Sequence, residues 1–372
     1  MSKEIRVLDF INTDRSAREL LAHRVAQIDN TEGYINFICC GPGPYVKVLR
    51  EEGHQVLVVN QPRGMNIKEI VKAIFRFRRI LQKNHIEILH THGSLVGMIG
   101  RIAALLAGTP FVVHQIHGFH HHQNMSRSAR WFSKTSEKIA ALWTNALLFQ
   151  NASDLSLCAE TGIAPTEKLH LIRNGVNLQN FHNQPPQHNE IPIIICVARF
   201  ERVKNHTMLL RAAKILFDEG VDFRLELVGD GPLRAEYIEW VSKNNLESKV
   251  KFLGYREDTP SLTAAADICV LVSLKEGIPR AIMEASAAGK PIVATNVIGN
   301  RDAVRDGETG FLVELGDSPQ LAQFLLLLLK NGDRRLKMGK LGRQKAIEHF
   351  DEIKVANRIL TVYDNLMCGN IK

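Results

Sequence analysis

At 372 residues the chain is too long for one ordinary core, and two domains of about 180 residues each are the natural expectation. It is 45% hydrophobic and 23% charged, which excludes a disordered chain, and only 6% aromatic, which leaves few stacking platforms for single-stranded nucleic acid. A net charge of +8 suits polyanions in general (nucleic acid, an anionic membrane surface, phosphorylated small molecules), and with so few aromatics no nucleic-acid partner is expected.

In chain order the first half alternates strands and helices: strand 5–11, helix 15–28, strand 34–39, a glycine-proline turn at 41–43, helix 46–51, strand 56–59, helix 66–84, strand 86–89, helix 95–107, strand 111–114, helix 126–141, and strands 146–149 and 169–172. Such alternation predicts a parallel, doubly wound sheet that binds ligands beyond the C-terminal ends of its strands. The first strand-to-helix turn, Asn-Thr-Asp-Arg-Ser at 12–16, lacks the Gly-x-Gly-x-x-Gly pattern, so NAD is not expected there.

Histidines gather at strand ends instead. His90 and His92 close the fourth strand, and His114, His117, His120, His121 and His122 follow the fifth. A metal centre is conceivable, but the triplet at 120–122 has no carboxylate partner and no His-Glu-x-x-His spacing, so no metal is expected. Helix 66–84 carries Lys68, Lys72, Arg76, Arg78, Arg79 and Lys83 against Glu69, with Ile67, Ile70, Val71, Ile74, Phe75 and Leu81 as an apolar side. Arg76, Arg79 and Lys83 share a face at helical spacing. Residues 68–83 read either as the solvated back of a sheet-packed helix or as a patch for anionic headgroups, to which Arg127, Arg130, Lys134 and Lys138 would add.

The segment Asn-Gly-Val-Asn at 174–177 ends the first domain, and residues 178–190 read as a linker. The expected domains are therefore 1–180 and 181–350, with a last helix, 352–366, in the closing segment 351–372. The second half opens on strand 193–197, followed by Arg199, Lys204 and helix 205–218. A guanidinium and an ammonium at a strand end can bracket a diphosphate. Strand 223–228 ends in Gly-Asp-Gly-Pro at 229–232, whose glycines permit close approach to a nucleotide. Then come strand 250–253 with Gly254 and Tyr255, helix 262–266, strand 268–272, a polar loop at 273–279, helix 280–289, strand 292–295, a glycine-bearing loop at 297–301, a turn and strand at 307–313, and helices 318–330 and 333–347. Glu276 lies in the polar loop and Glu284 on the helix after it, so both can face one crevice; the amides of Gly277 and Ile278 and of the helix start behind Pro279 suit an anion.

The six cysteines, at 39, 40, 158, 196, 269 and 368, form no Cys-x-x-Cys pair, which favours a reducing compartment and no zinc. The opening apolar run is too short for a signal peptide, and no stretch approaches the roughly 18 apolar residues of a bilayer span. A cytoplasmic protein is expected, peripheral on the inner face of the plasma membrane where it meets lipid.

The stretch from Glu276 to Glu284 resembles the acid-x7-acid signature of the retaining glycosyltransferases of family 4, of the type that builds bacterial surface polysaccharides. It is accompanied by Val-Ala-Arg-Phe at 197–200 with Lys204, Leu-Val-Gly-Asp-Gly-Pro at 227–232 and Gly-Glu-Thr-Gly-Phe-Leu-Val at 307–313. The resemblance covers nearly the whole chain. It implies an α/β architecture of two doubly wound Rossmann-like domains facing across a cleft (GT-B), the N-terminal one binding an acceptor and the C-terminal one a nucleotide sugar. The closing helix would return to the first domain. Many relatives carry paired glycines in the first loop, and residues 12–16 depart from that. The implied activity moves a hexosyl or N-acetylhexosaminyl group from a UDP- or GDP-sugar to a saccharide or polyprenyl-linked acceptor, in polysaccharide or lipopolysaccharide synthesis. A sugar-nucleotide hydrolase or epimerase of the same fold is the alternative.

By that resemblance Arg199 and Lys204 neutralise the diphosphate, Glu284 takes the ribose hydroxyls, and Glu276 meets the donor sugar or its oxocarbenium-like state. Gly229, Gly231, Tyr255, Gly277, Ile278 and Pro279 line the nucleotide, and His117 faces the transferred sugar. No further cofactor is implied, since the two cations supply the positive charge that a metal would.

Overall fold

The computed structural model describes residues 4–369 apart from 30, 32, 63, 65, 119–125 and 182–188. His120, His121 and His122, the middle of the expected linker, and the side chain of Arg130 lie outside the described residues. The chain divides into two compact units, one of Met1–Arg173 with Glu352–Lys372 and the other of Asn174–Asp351.

The first unit runs β1 (Ile5–Phe10), α1 (Asp14–Leu20), α2 (Ala22–Asp29), β2 (Tyr34–Cys40), α3 (Tyr45–Glu51), β3 (Gln55–Val58), α4 (Ile67–Lys83), β4 (Ile88–His92), α5 (Ser94–Ala107), β5 (Phe111–Ile116), α6 (Arg127–Ala141), β6 (Ala146–Phe149), α7 (Ala152–Glu160) and β7 (Leu169–Leu171). Its strands form one parallel sheet in the order β3-β2-β1-β4-β5-β6-β7. The chain's first strand is therefore internal, and the winding reverses between β1 and β4. Registry sets Asp9 beside His90, His92 beside Gln115, and Ile116 beside Phe149.

The second unit runs β8 (Ile193–Val197), α8 (His206–Asp218), β9 (Arg224–Val228), α9 (Arg234–Lys243), β10 (Val250–Gly254), α10 (Thr259–Ala265), β11 (Ile268–Leu271), α11 (Arg280–Ala287), β12 (Ile292–Thr295), α12 (Ile298–Ala303), β13 (Gly310–Val313), α13 (Ser318–Lys330) and α14 (Gly332–His349). Its parallel sheet is ordered β10-β9-β8-β11-β12-β13 and reverses between β8 and β11. Strands such as Ile-Ile-Ile-Cys-Val at β8 are apolar on both faces because helices cover both faces.

The last helix, α15 (Glu352–Met367), belongs to the first unit. Val355, Ile359, Tyr363 and Leu366 recur at helical spacing and pack with Val7, Ile28, Ile88 and Val113. Each buried apolar side chain of this size contributes roughly 1.5–3 kcal/mol.

Several expectations change in detail. The helix expected over 15–28 is broken at Leu21, which is buried; Thr13 caps α1 by accepting from the Ser16 amide, and α2 sets off separately. The first unit ends at Arg173 rather than at 180, because the Val176 amide donates to the Phe350 carbonyl and Phe181 enters the second unit's core. The strand expected over 111–114 runs on to Ile116, which leaves His114 in its interior, its Nδ1 2.8 Å from the Thr91 hydroxyl, so a polar pair is satisfied within the sheet. Residues 297–301 are not a loop, since α12 begins at Ile298; α7, capped by Asn151, and α9 went unanticipated.

Candidate functional site

In the second unit the side chains singled out above gather at the C-terminal ends of β8, β9 and β11, around the point where the winding reverses. After β8 a short 3-10 turn, Arg202–Lys204, is followed by Asn205 in the left-handed region at φ 53°. This bend brings the Lys204 ammonium 2.5 Å from the Glu276 carboxylate, in the loop after β11. A backbone bond from the Leu274 amide to the Val203 carbonyl ties the same two loops, at 2.8 Å. Arg199 stands further out, its side chain 60% exposed and 2.8 Å from Glu201. Glu284 is buried on α11, one oxygen accepting from Arg280 Nε at 2.7 Å.

Two glycines are required by contact. A Cβ at Gly229 would stand 2.2 Å from the Ala198 carbonyl oxygen, and one at Gly231 2.6 Å from that of Phe200. The turn after β9 thus crosses the end of β8 without side chains between them. Tyr255, just past β10, is 49% exposed. Gly277 is half-buried, while Ile278 and Pro279 are buried and seat the start of α11; the Ile278 side chain joins the core, leaving its backbone as the part that can face a ligand.

Sequence reasoning missed what holds this loop from behind. A Cβ at Gly299, on α12, would lie 1.7 Å from the Gly277 carbonyl oxygen. Thr295 Oγ1 donates to the Ser273 carbonyl at 2.6 Å, and Asn300 Nδ2 donates to the Thr295 carbonyl at 2.9 Å. A glycine inside a short polar run was the available signal.

In the first unit a hydrogen-bonded chain runs across the C-terminal ends of four neighbouring strands. Asp9 comes from β1, His92 from the end of β4, His117 from just past β5 and Gln150 from just past β6. His92 Nε2 lies 2.8 Å from Asp9 Oδ1, His92 Nδ1 3.1 Å from His117 Nε2, and His117 Nδ1 2.8 Å from Gln150 Nε2. Arg24, from α2, donates to the same Asp9 oxygen and to Gln115. His90 Nδ1 meets the Tyr363 hydroxyl of α15 at 2.7 Å.

Burial, followed by the proximity of His92 and Arg24, pushes His117 down to about 3. Burial likewise lowers His90, His92 and His114. Asp9 is held below its ordinary value: burial opposes ionisation, but Arg24 and His92 outweigh it.

Asp9, His90 and His92 place a carboxylate oxygen and two ring nitrogens within 4.8 Å of one another, which supplies from β1 the carboxylate that the histidine loops lack. The surroundings oppose a cation. The Arg24 guanidinium already sits on the Asp9 oxygen, and the phenol of Tyr363 takes His90 Nδ1.

On α4, Ala73, Ile74, Phe77 and Leu81 face the core. Ile67, Val71 and Phe75, expected on that apolar side, face solvent instead, with Ile67 76% exposed. They form one stripe with Arg79 and Lys83, flanked by exposed Lys68, Lys72 and Arg76. Helix α6 also exposes Trp131, Phe132 and Ile139, and Leu142, just past its end, is exposed as well. No helix among the described residues is long and apolar enough to cross a membrane.

The family model for glycosyl transferases group 1 matches residues 179–345, and the model for glycosyltransferase family 4 matches residues 33–180. An Escherichia coli UDP-Gal:alpha-D-GlcNAc-diphosphoundecaprenol alpha-1,3-galactosyltransferase is 30% identical over 91% of this chain and 91% of its own length. A Campylobacter jejuni N,N'-diacetylbacillosaminyl-diphospho-undecaprenol alpha-1,3-N-acetylgalactosaminyltransferase is 25% identical over 89% of this chain and 91% of its own. Among solved structures, a glycosyltransferase from Rickettsia africae superposes with a TM-score of 0.82 at 21% identity, covering 98% of this chain and 99% of that one. Anabaena HepE in complex with UDP and glucose superposes at 0.78 and 19% identity, covering 97% and 100%. These structural likenesses establish the fold.

Proposed function

We propose, from the premise that this chain belongs to the glycosyltransferases of family 4, that it moves a sugar from a UDP-sugar to a polyprenyl-diphosphate-linked saccharide with retention at the anomeric carbon. The chain is a glycosyltransferase with two doubly wound units, of the kind that builds bacterial surface polysaccharide. The observation that carries the finer reading is the Lys204–Glu276 pair at the reversal point of the second sheet, with the close-packed glycine turn of Gly229 and Gly231 beside it.

The second unit takes the nucleotide sugar. Lys204 and Arg199 draw the diphosphate and stabilise the negative charge that grows on it as the sugar departs. The amides of Gly277 and Ile278 and the start of α11 add donors behind Pro279. Glu284, steadied by Arg280, accepts from the ribose hydroxyls, and Tyr255 stands where the base would lie. Glu276 serves the sugar as positive charge develops at its anomeric carbon. The bond from that carbon to phosphate breaks, the bond to the acceptor oxygen forms on the same face, and the hydroxyl proton passes to the departing phosphate oxygen. A diphosphate is a good leaving group, so no strong general acid is required.

The first unit takes the acceptor, with His117 meeting its hydroxyl. The exposed apolar and basic stripe of α4, and the aromatic face of α6, suit the anionic lipid surface in which a polyprenyl-linked acceptor is anchored. UDP is preferred to GDP as the donor's nucleotide because a relative matched over 91% of its own length is a UDP-galactose enzyme.

Incubation with UDP- and GDP-sugars, with and without a polyprenyl diphosphate monosaccharide, tests this by mass spectrometry of the lipid. The expected result is consumption of a UDP-sugar only when acceptor is present. Equal consumption without acceptor would identify a hydrolase, and an isomerised donor an epimerase.

A further inference from the structure

Arg280 and Glu284 stand one turn apart on the same face of α11, Arg280 at its first position and Glu284 at its fifth. That order is the less favourable one for a helix. A cation in the first turn opposes the helix dipole, and acid before base is the stabilising sequence. The first turn holds no acid, and no side-chain cap offsets the charge. The demands of the helix therefore do not explain the pair. Glu284 is also well enclosed, its side chain 8% exposed, with Ile282, Met283, Ala285 and Ser286 buried around it.

The two carboxylate oxygens of Glu284 have different surroundings. Oε1 accepts from Arg280 Nε at 2.7 Å, so the guanidinium covers it from the side on which α11 begins. Oε2 accepts from none of the described residues and is not sealed off, so it belongs to the small part of the side chain that solvent reaches. A ribose presents two adjacent hydroxyls, and a carboxylate open at both oxygens can accept from both. A carboxylate open at one oxygen accepts from one.

We infer that Arg280 is a positioning residue that sets nucleotide specificity: by occupying Glu284 Oε1 it leaves Oε2 alone to the ribose, so the pocket reads one ribose hydroxyl and passes over the other. The inference rests on the donor reading given above and narrows its ribose contact to a single hydroxyl. The ligand class that fits is correspondingly wider. A nucleoside diphosphate that lacks the unread hydroxyl is bound as well as the ribonucleotide. Arg280 acts through Glu284 and not by its own contact with the sugar.

Calorimetric titration of the full, unsubstituted chain with UDP, 2′-deoxy-UDP and 3′-deoxy-UDP tests this. One deoxy analogue is expected to bind within about twofold of UDP and the other about tenfold more weakly, the loss of one hydrogen bond to a charged acceptor. Weakening of both analogues, or of neither, would overturn the inference. Arg280→Leu uncovers Oε1, so in that variant both analogues should fall about tenfold below UDP. A merely structural role would lower all three affinities together and keep the parental ratios, which would overturn it too. The parental series needs no substitution and stands even where the variant does not fold. Failure of the unsubstituted chain to bind any of the three nucleotides would overturn the donor reading, whereas binding in which both hydroxyls matter overturns this inference alone.

Discussion

The charge on Glu276 is already countered by Lys204 at 2.5 Å, and that contact decides what substitution at either position does. Glu276→Gln frees the ammonium, so UDP should bind as tightly as before or more tightly while kcat falls; calorimetry beside steady-state kinetics would show the two moving apart. Lys204→Ala should weaken UDP by roughly 1.5–3 kcal/mol, the worth of a charge-assisted bond, and Arg199→Ala by less, because its exposed guanidinium is screened. Equal affinities in parent and both variants would remove the diphosphate from this corner. These residues were legible in the sequence because each sits within a few positions of a strand end, so strand, loop and helix are read together. The chain from Asp9 to Gln150 was not legible. Its members come from four strands and join only through the order β1-β4-β5-β6, which one-dimensional spacing does not contain. His117 was picked out by resemblance, and its two ring partners by the structure alone.

Elements show how little slack the loops have. Helix α12 touches the Glu276 loop through a glycine whose Cβ would overlap the Gly277 carbonyl, so Gly299→Ala should move that loop and lower kcat at least about tenfold without touching a substrate. A crystal structure of the variant with an unmoved loop would contradict this. Helix α6 is fastened to α5 by Arg101, fully buried, whose guanidinium donates to both oxygens of Glu137 at 3.0 and 2.9 Å. Glu137→Gln leaves that cation under-compensated and should cost about 3–5 kcal/mol, read as a fall in denaturation midpoint. On α4, replacing Arg76, Arg79 and Lys83 with Gln, together with Phe75→Ser, should reduce sedimentation with anionic liposomes while sparing turnover of a soluble acceptor; unchanged sedimentation returns the stripe to ordinary solvated surface. The alternation of strands and helices was readable from apolar runs. The outward turn of Ile67, Val71 and Phe75 was not, because periodicity alone does not say which of two apolar edges meets the sheet.

At the scale of the molecule the two units differ in their store of buried neutral histidines. The first holds His90, His92, His114 and His117, all lowered by burial; the second holds His206, lowered to about 4. A histidine whose folded pKa lies below its unfolded value costs nothing above pH 6.5. As pH falls through that value the unfolded chain takes up protons first, and stability declines by up to about 1.4 kcal/mol per pH unit for each such ring until the folded pKa is reached. The first unit should therefore open at higher pH than the second when acidified below 6.5. Hydrogen exchange read by mass spectrometry peptide by peptide would check it, and parallel loss of protection in both units would refute it. One further consequence belongs to α15. Val355, Ile359, Tyr363 and Leu366 close the core that Val7, Ile28, Ile88 and Val113 begin, so the unit whose residues leave the ribosome first is the one completed last. Until residues 352–367 emerge, its sheet waits with one apolar flank bare, and chaperone occupancy of the nascent chain should persist there while the later-made unit has already closed.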